Sequence, residues 1–69
     1  MSTYKYFVPM NSVKATVSGR NGQIGEVVSE DETGYMVDFG NGPEFFANDE
    51  GNPASTKREA QTLAKAARQ

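Results

Sequence analysis

The property that most limits the fold of this 69-residue chain is the absence of both cysteine and histidine. A domain of this length buries only about 60% of the surface that its unfolded chain exposes, so many such domains depend on a disulfide or a bound metal. Without thiolates or imidazoles, the usual structural zinc sites and nucleophilic catalysis by Cys-His or Ser-His pairs are excluded. We therefore expect one domain with its own apolar core, no metal, no cofactor and no enzymatic activity.

The same composition bears on where the protein works. A chain without cysteine lacks the disulfide framework typical of secreted mini-proteins, so we expect a cytoplasmic protein. Its longest apolar run, Tyr6 to Met10, is five residues long, and the N-terminus lacks a charged region followed by an apolar one. The sequence therefore predicts neither a membrane-spanning segment nor a signal peptide, and no membrane partner.

Charge is divided unevenly about the breaker Gly51-Asn52-Pro53. Residues 1–50 carry three bases and eight acids, a net charge of −5, whereas residues 51–69 carry four bases and one acid, a net charge of +3. Such a shift marks the boundary between an acidic body and a basic tail. We therefore assign residues 1–50 to a β-domain and residues 51–69 to a linker followed by a basic helix.

Glycines separate short stretches of the acidic body that are rich in β-branched and aromatic residues, a composition typical of strands. In the second stretch Val13, Ala15 and Val17 alternate with polar residues, which predicts one apolar and one polar face. The five predicted strands are Thr3–Val8, Ser12–Val17, Gln23–Ser29, Gly34–Phe39 and Pro43–Ala47.

The connections between these strands are too short for parallel crossovers. Residues 30–34 form a polar loop that ends in glycine, and Gly40-Asn41-Gly42 is a turn that tolerates positive φ. Five antiparallel strands in so short a chain predict a small, strongly bent barrel, because closure removes the edges that a flat sheet exposes.

The tail is predicted to be helical. Thr56 followed by Glu59 is typical of a capping box, and Pro53 lies just upstream. Ala60, Leu63, Ala64 and Ala67 recur at the spacing of one helical face. Because that face is mostly alanine, the helix is marginal alone, and it either docks on the barrel, meets nucleic acid as a basic arm or folds on a partner protein.

The segment from Val13 to Val28 has a recognisable order of features. A strand-like stretch ends in Val17-Ser18-Gly19, a polar turn follows, and Gly22 to Val28 opens the next strand with Gly25 at its centre. In these features it resembles the KOW motif of SH3-like barrels in ribosomal proteins and NusG-type transcription factors, and with the next strand the resemblance covers residues 13–40. The expected fold is therefore mainly β: a five-stranded SH3-like β-barrel with a short C-terminal α-helix.

The resemblance implies a small non-catalytic binding module associated with nucleic acid or ribonucleoprotein. KOW proteins of this kind usually place bases around the central glycine, whereas this chain has Gln23 and Glu26 there. A body of charge −5 is also a poor electrostatic match to phosphate. The polar and basic residues that remain as binding candidates are Lys14, Arg20, Asn21, Lys57, Arg58, Lys65 and Arg68. For Arg20-Asn21 a plain solvated turn is the alternative.

Aromatic side chains are the second set of binding candidates. The chain has seven, more than a small barrel can bury, so two or three are expected at the surface. Phe45 and Phe46 are adjacent, and a strand directs them to opposite faces. The outer ring either packs beneath Leu63 or joins Tyr4 or Tyr6 in an exposed patch that contacts protein or stacks on bases. We name Tyr35 and Phe46 as binding candidates.

The acidic turn supports a different function. Glu30, Asp31 and Glu32 lie in a solvated turn without a neighbouring nucleophile, so they are candidates for contact with a basic protein rather than for catalysis. The alternative is thus an acidic protein-binding adaptor or inhibitor, and small size alone suggests a phage or plasmid origin. An enzyme whose pore site is built by symmetric copies in an oligomer is a weaker third alternative. No small-molecule substrate is expected, and nucleic acid and protein both remain open as partners.

Overall fold

The computed structural model describes residues 4–68 as a five-stranded sheet with two helices. The strands pair antiparallel in the order β4-β3-β2-β1-β5, and each of β4 and β5 pairs with a single neighbour, so the sheet stays open. The prediction of a mainly β chain with a C-terminal helix is confirmed. The elements are β1 (Tyr6–Pro9), α1 (Val13–Val17), β2 (Gly25–Glu30), β3 (Gly34–Asp38), β4 (Pro43–Ala47), β5 (Gly51–Ala54) and α2 (Lys57–Ala67).

The sheet is strongly curled. Strands β1 and β4 are three positions apart, about 14 Å in a flat sheet at the usual strand spacing. The rings of Phe7 on β1 and Phe46 on β4 nevertheless have centroids only 5.9 Å apart. A bulge between Val27 and Ser29 on β2 adds to the bend. The curled face, here called the inner face, therefore encloses an aromatic core without hydrogen bonds between the two edge strands.

Two apolar cores lie on opposite sides of the sheet. The inner face buries Phe7, Tyr35, Val37 and Phe46, with Val27 and Phe39 packed against them. The other face, here called the outer face, carries Val8 of β1, which packs against α2. This second core is small because the helix contributes mainly alanines. Its buried members are Val8, Met10, Ala54, Ala60 and Ala64, and Tyr6, Ile24, Leu63 and Ala67 flank them.

Gly25 begins β2 without positive φ, and its role is steric. A Cβ atom at this position would overlap the side chain of Val37 and lie 2.7 Å from the ring of Phe39. The absence of a side chain thus lets the aromatic core close against the backbone of β2, as expected for a close approach at the bend. Gly40 and Gly42 do adopt positive φ, at 107° and 97°, which confirms the expected turn before β4.

The second predicted strand is wrong, since Val13–Val17 forms α1. Ser12 caps this helix by accepting a hydrogen bond from the Ala15 N–H at 3.0 Å. Residues four apart share a helical face, so Val13 and Val17 lie together and Ala15 lies opposite. The structure buries Ala15 and leaves the two valines about four-fifths exposed, at 80% and 81%. Apolar alternation over five residues therefore fits either a strand or a helix. Burial of Ala15 favours the helix.

The fifth strand comes from the segment that was expected to be a linker. Gly51–Ala54 pairs with β1 along its whole length, so residues beyond the expected boundary at 50 complete the sheet. The first strand begins at Tyr6 rather than Thr3, and Thr3 lies outside the described residues. Met36 and Asp38 face away from Tyr35 and Val37, because successive side chains of a strand point to opposite faces.

Helix α2 begins at the predicted N-cap, and of the three alternatives for the tail the structure shows docking on the sheet. Thr56 is the N-cap, and its hydroxyl accepts a hydrogen bond from the Glu59 N–H at 3.2 Å. Ala60 and Ala64 are buried against Val8, and Leu63 packs at the edge of the same cluster. Docking on β1 and β5 therefore supplies the burial that the alanine-rich helix lacks by itself.

Backbone groups on the outer edge of β4 are occupied by the chain's own residues. The ammonium group of Lys14 donates to the Phe45 carbonyl. Glu50 accepts from the Ala47 N–H through its carboxylate at 2.8 Å and donates its own N–H to the Ala47 carbonyl at 3.0 Å. These contacts hinder another strand from pairing with β4.

The β5 edge is protected by a proline. The Met10 N–H donates to the Glu50 carbonyl at 3.1 Å, and this bond lies in register with the β1–β5 ladder. Hydrogen-bonded and non-hydrogen-bonded residue pairs alternate along an antiparallel ladder. The backbone groups of residues 52 and 54 therefore bond to β1, and those of Pro53 point away from the sheet. Pro53 lacks an N–H group there, which is the position that an edge strand tolerates for proline.

Candidate binding surfaces

Arg20 is held inside the molecule by three contacts. Its Nε and Nη2 groups both donate to Oε2 of Glu44, at 3.1 and 2.6 Å. Its Nη1 group donates to Oε1 of Gln23 at 3.1 Å, and its Cζ atom lies 4.6 Å from the centroid of the Phe39 ring. The side chain is only 19% exposed. Arg20 thus closes one end of the aromatic core, and its donors are already engaged.

Lys14, like Arg20, is held by contacts within the fold, and it lies at the edge of β4. Its ammonium group donates to the Phe45 carbonyl and lies 4.8 Å from the centroid of the Phe46 ring. Attraction between an ammonium group and an aromatic face is worth about 0.5–2 kcal/mol. The two bases that the KOW resemblance offered to phosphate are therefore both used within the fold.

Asn21 and Arg68 connect the loop between α1 and β2 to the C-terminal end of α2. The Asn21 amide donates to the Ala67 carbonyl at 3.2 Å, and Nη2 of Arg68 donates to the Gly22 carbonyl at 2.9 Å. A carbonyl near a helix C-terminus has no partner within the helix, so the Asn21 contact stabilises the end of α2. Asn21 is accordingly a structural contact in this loop.

The bases of the tail lie together on one flank of α2. At 3.6 residues per turn, the positions 57, 58, 65 and 68 fall within an arc of about 100°. These residues are exposed, and the only ion pair within residues 4–68 is Arg20–Glu44. We call this set the basic flank; its members are Lys57, Arg58, Lys65 and Arg68.

The two aromatic candidates are buried, which corrects the expectation that they lie at the surface. Phe46 is 0% exposed and Tyr35 is 8% exposed, so neither ring is available for stacking on a base. The Tyr35 and Phe7 ring centroids are 5.0 Å apart. Burial raises the pKa of the Tyr35 hydroxyl, and the nearby Glu30 carboxylate raises the same pKa further. Phe45 takes the outer position, and the cluster around Leu63 contains no phenylalanine.

The acidic turn between β2 and β3 is built around Asp31. Its Oδ1 atom accepts from the Thr33 hydroxyl at 2.6 Å, the Thr33 N–H at 2.7 Å and the Gly34 N–H at 3.1 Å. The hydroxyl bond contributes most to lowering the pKa of Asp31, followed by the bond from the Thr33 N–H. Glu30 and Glu32 are exposed on either side. Asp31 therefore shapes the turn, and its two neighbours present charge to solvent.

The outer face of β2, β3 and β4 is a surface that the sequence candidates did not include. Helix α2 packs on β1 and β5 and leaves this half of the sheet uncovered. Met36 is paired with Phe45 across two strands, and Glu26 is paired with Asp38. We call this set the open face; its residues are Glu26, Ser29, Met36, Asp38, Pro43 and Phe45. The signal for this face in the sequence is the alternation in β3, where Met36 and Asp38 alternate with Tyr35 and Val37.

A groove of about 380 Å³ lies between β5 and α2, lined by Asn52, Pro53, Glu59, Thr62 and Leu63. Asn52 is opposite Val8 and Pro53 is opposite Phe7, so the two side chains point to different faces of the sheet. The groove therefore follows the strand edge. Because Pro53 offers no N–H there, an added peptide strand would lack one bond of its ladder.

Among residues 4–68, which the structure describes, no group of three or more acidic, histidine or cysteine side chains is placed to hold a metal ion. No helix there has the length and apolar character needed to cross a membrane.

Comparison with known proteins adds no relative to these observations. No family model, no curated protein and no solved structure matches the chain.

Proposed function

We propose that this protein is a small non-catalytic binding module of SH3-like architecture whose basic flank binds the phosphate backbone of a nucleic acid. The single observation that carries the proposal is the grouping of four bases on one flank of α2, with no acidic partner among the described residues. Each phosphate that a base neutralises releases condensed counterions, and that release favours binding.

The distribution of charge supports this choice of surface. Lys14 and Arg20 are bound to groups within the fold, so they add little to an external anion site. Lys57, Arg58 and Lys65 are exposed, and α2 contains a single acid, Glu59. At 100° per residue, Glu59 lies roughly opposite the basic flank. Phosphate would therefore meet a positive surface even though the whole chain carries a net charge of −2.

The fold supports the SH3-like part of the proposal. The sheet is curled until β1 and β4 share one aromatic core, and its first and last strands are paired. A closed barrel would have the same arrangement of strands, with added hydrogen bonds between the edge strands β4 and β5. The likeness to a KOW motif rests on the turn and the start of β2, Gly22 to Val28, because the stretch that precedes them is helical.

The proposal is tested by fluorescence anisotropy with a labelled mixed-sequence single-stranded RNA and a labelled DNA duplex across a range of salt concentrations. Arg68 donates to the Gly22 carbonyl, so Lys57, Arg58 and Lys65 are the bases free to contact phosphate. Three phosphate contacts predict a slope of log K against log salt of about −2 to −3. Arg58→Gln and Lys65→Gln should each reduce the magnitude of the slope by about 0.7–0.9. Both side chains are exposed, so the fold should be unchanged.

Lys5→Gln is the matched control, because it removes one positive charge from an exposed residue outside α2. It should leave the slope unchanged. An equal loss of slope in Lys5→Gln would show that only net charge matters and would contradict a defined flank. Binding that does not depend on salt, or no binding at low salt, would refute the proposal itself.

A further inference from the structure

We propose that the open face binds a segment of a partner protein that presents an apolar side chain flanked by lysine or arginine. This surface is separate from the basic flank, because α2 lies over β1 and β5 and the open face lies over β2, β3 and β4. The inference therefore does not depend on nucleic-acid binding.

The centre of the open face is apolar. Phe45 is 38% exposed, and its cross-strand partner Met36 is partly buried beside it. Aromatic and methionine side chains are enriched in protein interfaces because they bury a large area against a partner. A phenylalanine on a sheet face that no helix covers is thus suited to anchor a protein contact.

The Phe45 ring is held in place before any partner arrives. Its Cζ atom lies 2.8 Å from the position that a Cβ of Gly34 would occupy. The ring therefore rests on the bare backbone of the neighbouring strand, where any larger residue would displace it. A group that is already ordered loses less conformational entropy on binding, which favours affinity.

The open face is acidic and has one base at its margin. Glu26 and Asp38 are directly opposite each other on β2 and β3, and like charges in this position destabilise a sheet. Neither forms an ion pair within residues 4–68. Asp38 accepts a hydrogen bond from the Gly40 N–H at 2.6 Å, which leaves its negative charge in place. Lys14 is the base at the margin of the face; its ammonium group donates to the Phe45 carbonyl and lies 4.8 Å from the Phe46 ring centroid and 5.6 Å from the Phe45 ring centroid. A partner with its own base would relieve the repulsion between the two carboxylates.

These features select the class of partner. Two adjacent carboxylates repel phosphate, so the open face does not suit nucleic acid. They attract lysine and arginine, and Phe45 and Met36 offer an apolar surface between the strands. A protein segment in which apolar and basic side chains lie near each other satisfies both conditions.

The test is an amide chemical-shift titration of the labelled full chain with two synthetic peptides, one of alternating leucine and lysine and one of alternating leucine and glutamate. The leucine-lysine peptide should shift amides of β2, β3 and β4, and the leucine-glutamate peptide should not. Glu26→Lys should weaken binding about tenfold or more, since it reverses one charge of the pair. Phe45→Thr should weaken it as well, and threonine is a β-branched residue that suits a strand.

Glu32→Lys is the matched control: it makes the same charge reversal in the exposed turn, away from the open face, and should leave affinity within about twofold. Glu26→Lys also removes a like-charge pair, so it should fold at least as well as the parent chain. Equal shifts with both peptides, shifts confined to α2, or equal losses in both charge reversals would overturn the proposal. Concentration-dependent shifts of the open face and α2 without peptide would also overturn it, since they assign the face to a second copy of the chain.

Discussion

Arg20 and Glu44 form an ion pair that closes one end of the aromatic core, with two guanidinium donors on a single carboxylate oxygen at 3.1 and 2.6 Å. The residues are 24 positions apart in the chain, so the pair joins the loop before β2 to β4. Phe39 lies against the other side of the guanidinium. An arginine that was a candidate for phosphate binding is thus part of the fold's own support.

Arg20→Lys is expected to destabilise the protein by about 1 kcal/mol, because lysine lacks the planar fork that reaches both Glu44 and Gln23. Urea unfolding of Arg20→Gln, Glu44→Gln and the double variant would give the coupling between the two residues. We expect about 0.5–1 kcal/mol, since both side chains are partly exposed. Arg58→Gln is the control for the loss of one arginine charge. A coupling energy near zero between Arg20 and Glu44 would contradict a stabilising pair.

Gly34→Ala is expected to cost about 1–3 kcal/mol, the range for overpacking in a filled site. A Cβ there would overlap the Phe46 carbonyl and lie 2.7 Å from Cα of Ala47, and backbone atoms cannot move aside. Gly19→Ala is the comparison: its φ of 73° is strained for alanine, but nothing lies within 4 Å. Its cost should be about 1 kcal/mol. The midpoints of urea unfolding test the order, and a smaller loss in Gly34→Ala would contradict the close approach.

Thr56→Ala is expected to lower the free energy of unfolding by about 1 kcal/mol. The hydroxyl of Thr56 accepts from the Glu59 N–H, and alanine would leave that donor without its cap. Thr56→Ser keeps the oxygen and should restore most of the stability. Thermal unfolding followed by circular dichroism measures both variants, and equal losses would mean that the hydroxyl does not cap α2.

The Tyr35 hydroxyl predicts a loss of stability at alkaline pH. Burial raises its pKa in the folded state above 10.0, so the unfolded chain ionises first. The folded state then binds more protons than the unfolded one, and stability falls as pH rises from about 10 through the folded pKa. Tyr35→Phe should have a shallower decline over this range. If urea unfolding gives the same slope against pH for both proteins, this hydroxyl does not carry the effect.

Local patterns predicted several elements because their causes are local. β4 has the predicted bounds, since Gly40 and Gly42 adopt positive φ and Pro43 begins the strand. The faces of β3 follow from strict alternation, and α2 follows from its capping box and the spacing of its alanines. The basic flank was also visible in the sequence, since it depends only on helical periodicity.

Contacts between distant residues decided the rest. Alternation in Val13–Val17 fits a strand or a helix, and the helix forms where Ser12 caps it and Ala15 is buried. The segment around Pro53 was read as a break because proline interrupts a ladder, yet at a sheet edge its missing N–H faces outward. Phe45 and Phe46 could not be assigned to faces without the pairing partner of β4. The same holds for the engagement of Lys14 and Arg20, whose partners lie 24 to 31 residues away.

The amino-acid sequence by itself determined that this protein has no cysteine or histidine chemistry, a β-rich acidic body and a basic amphipathic helix at its end. These properties depend on which residues are present and on spacings of a few positions. Only the tertiary structure decided which face α2 covers, which bases remain free and which aromatic ring reaches the surface. The curl of the sheet sets these outcomes, because it brings strands that are distant in sequence onto one core and leaves one half of the opposite face open.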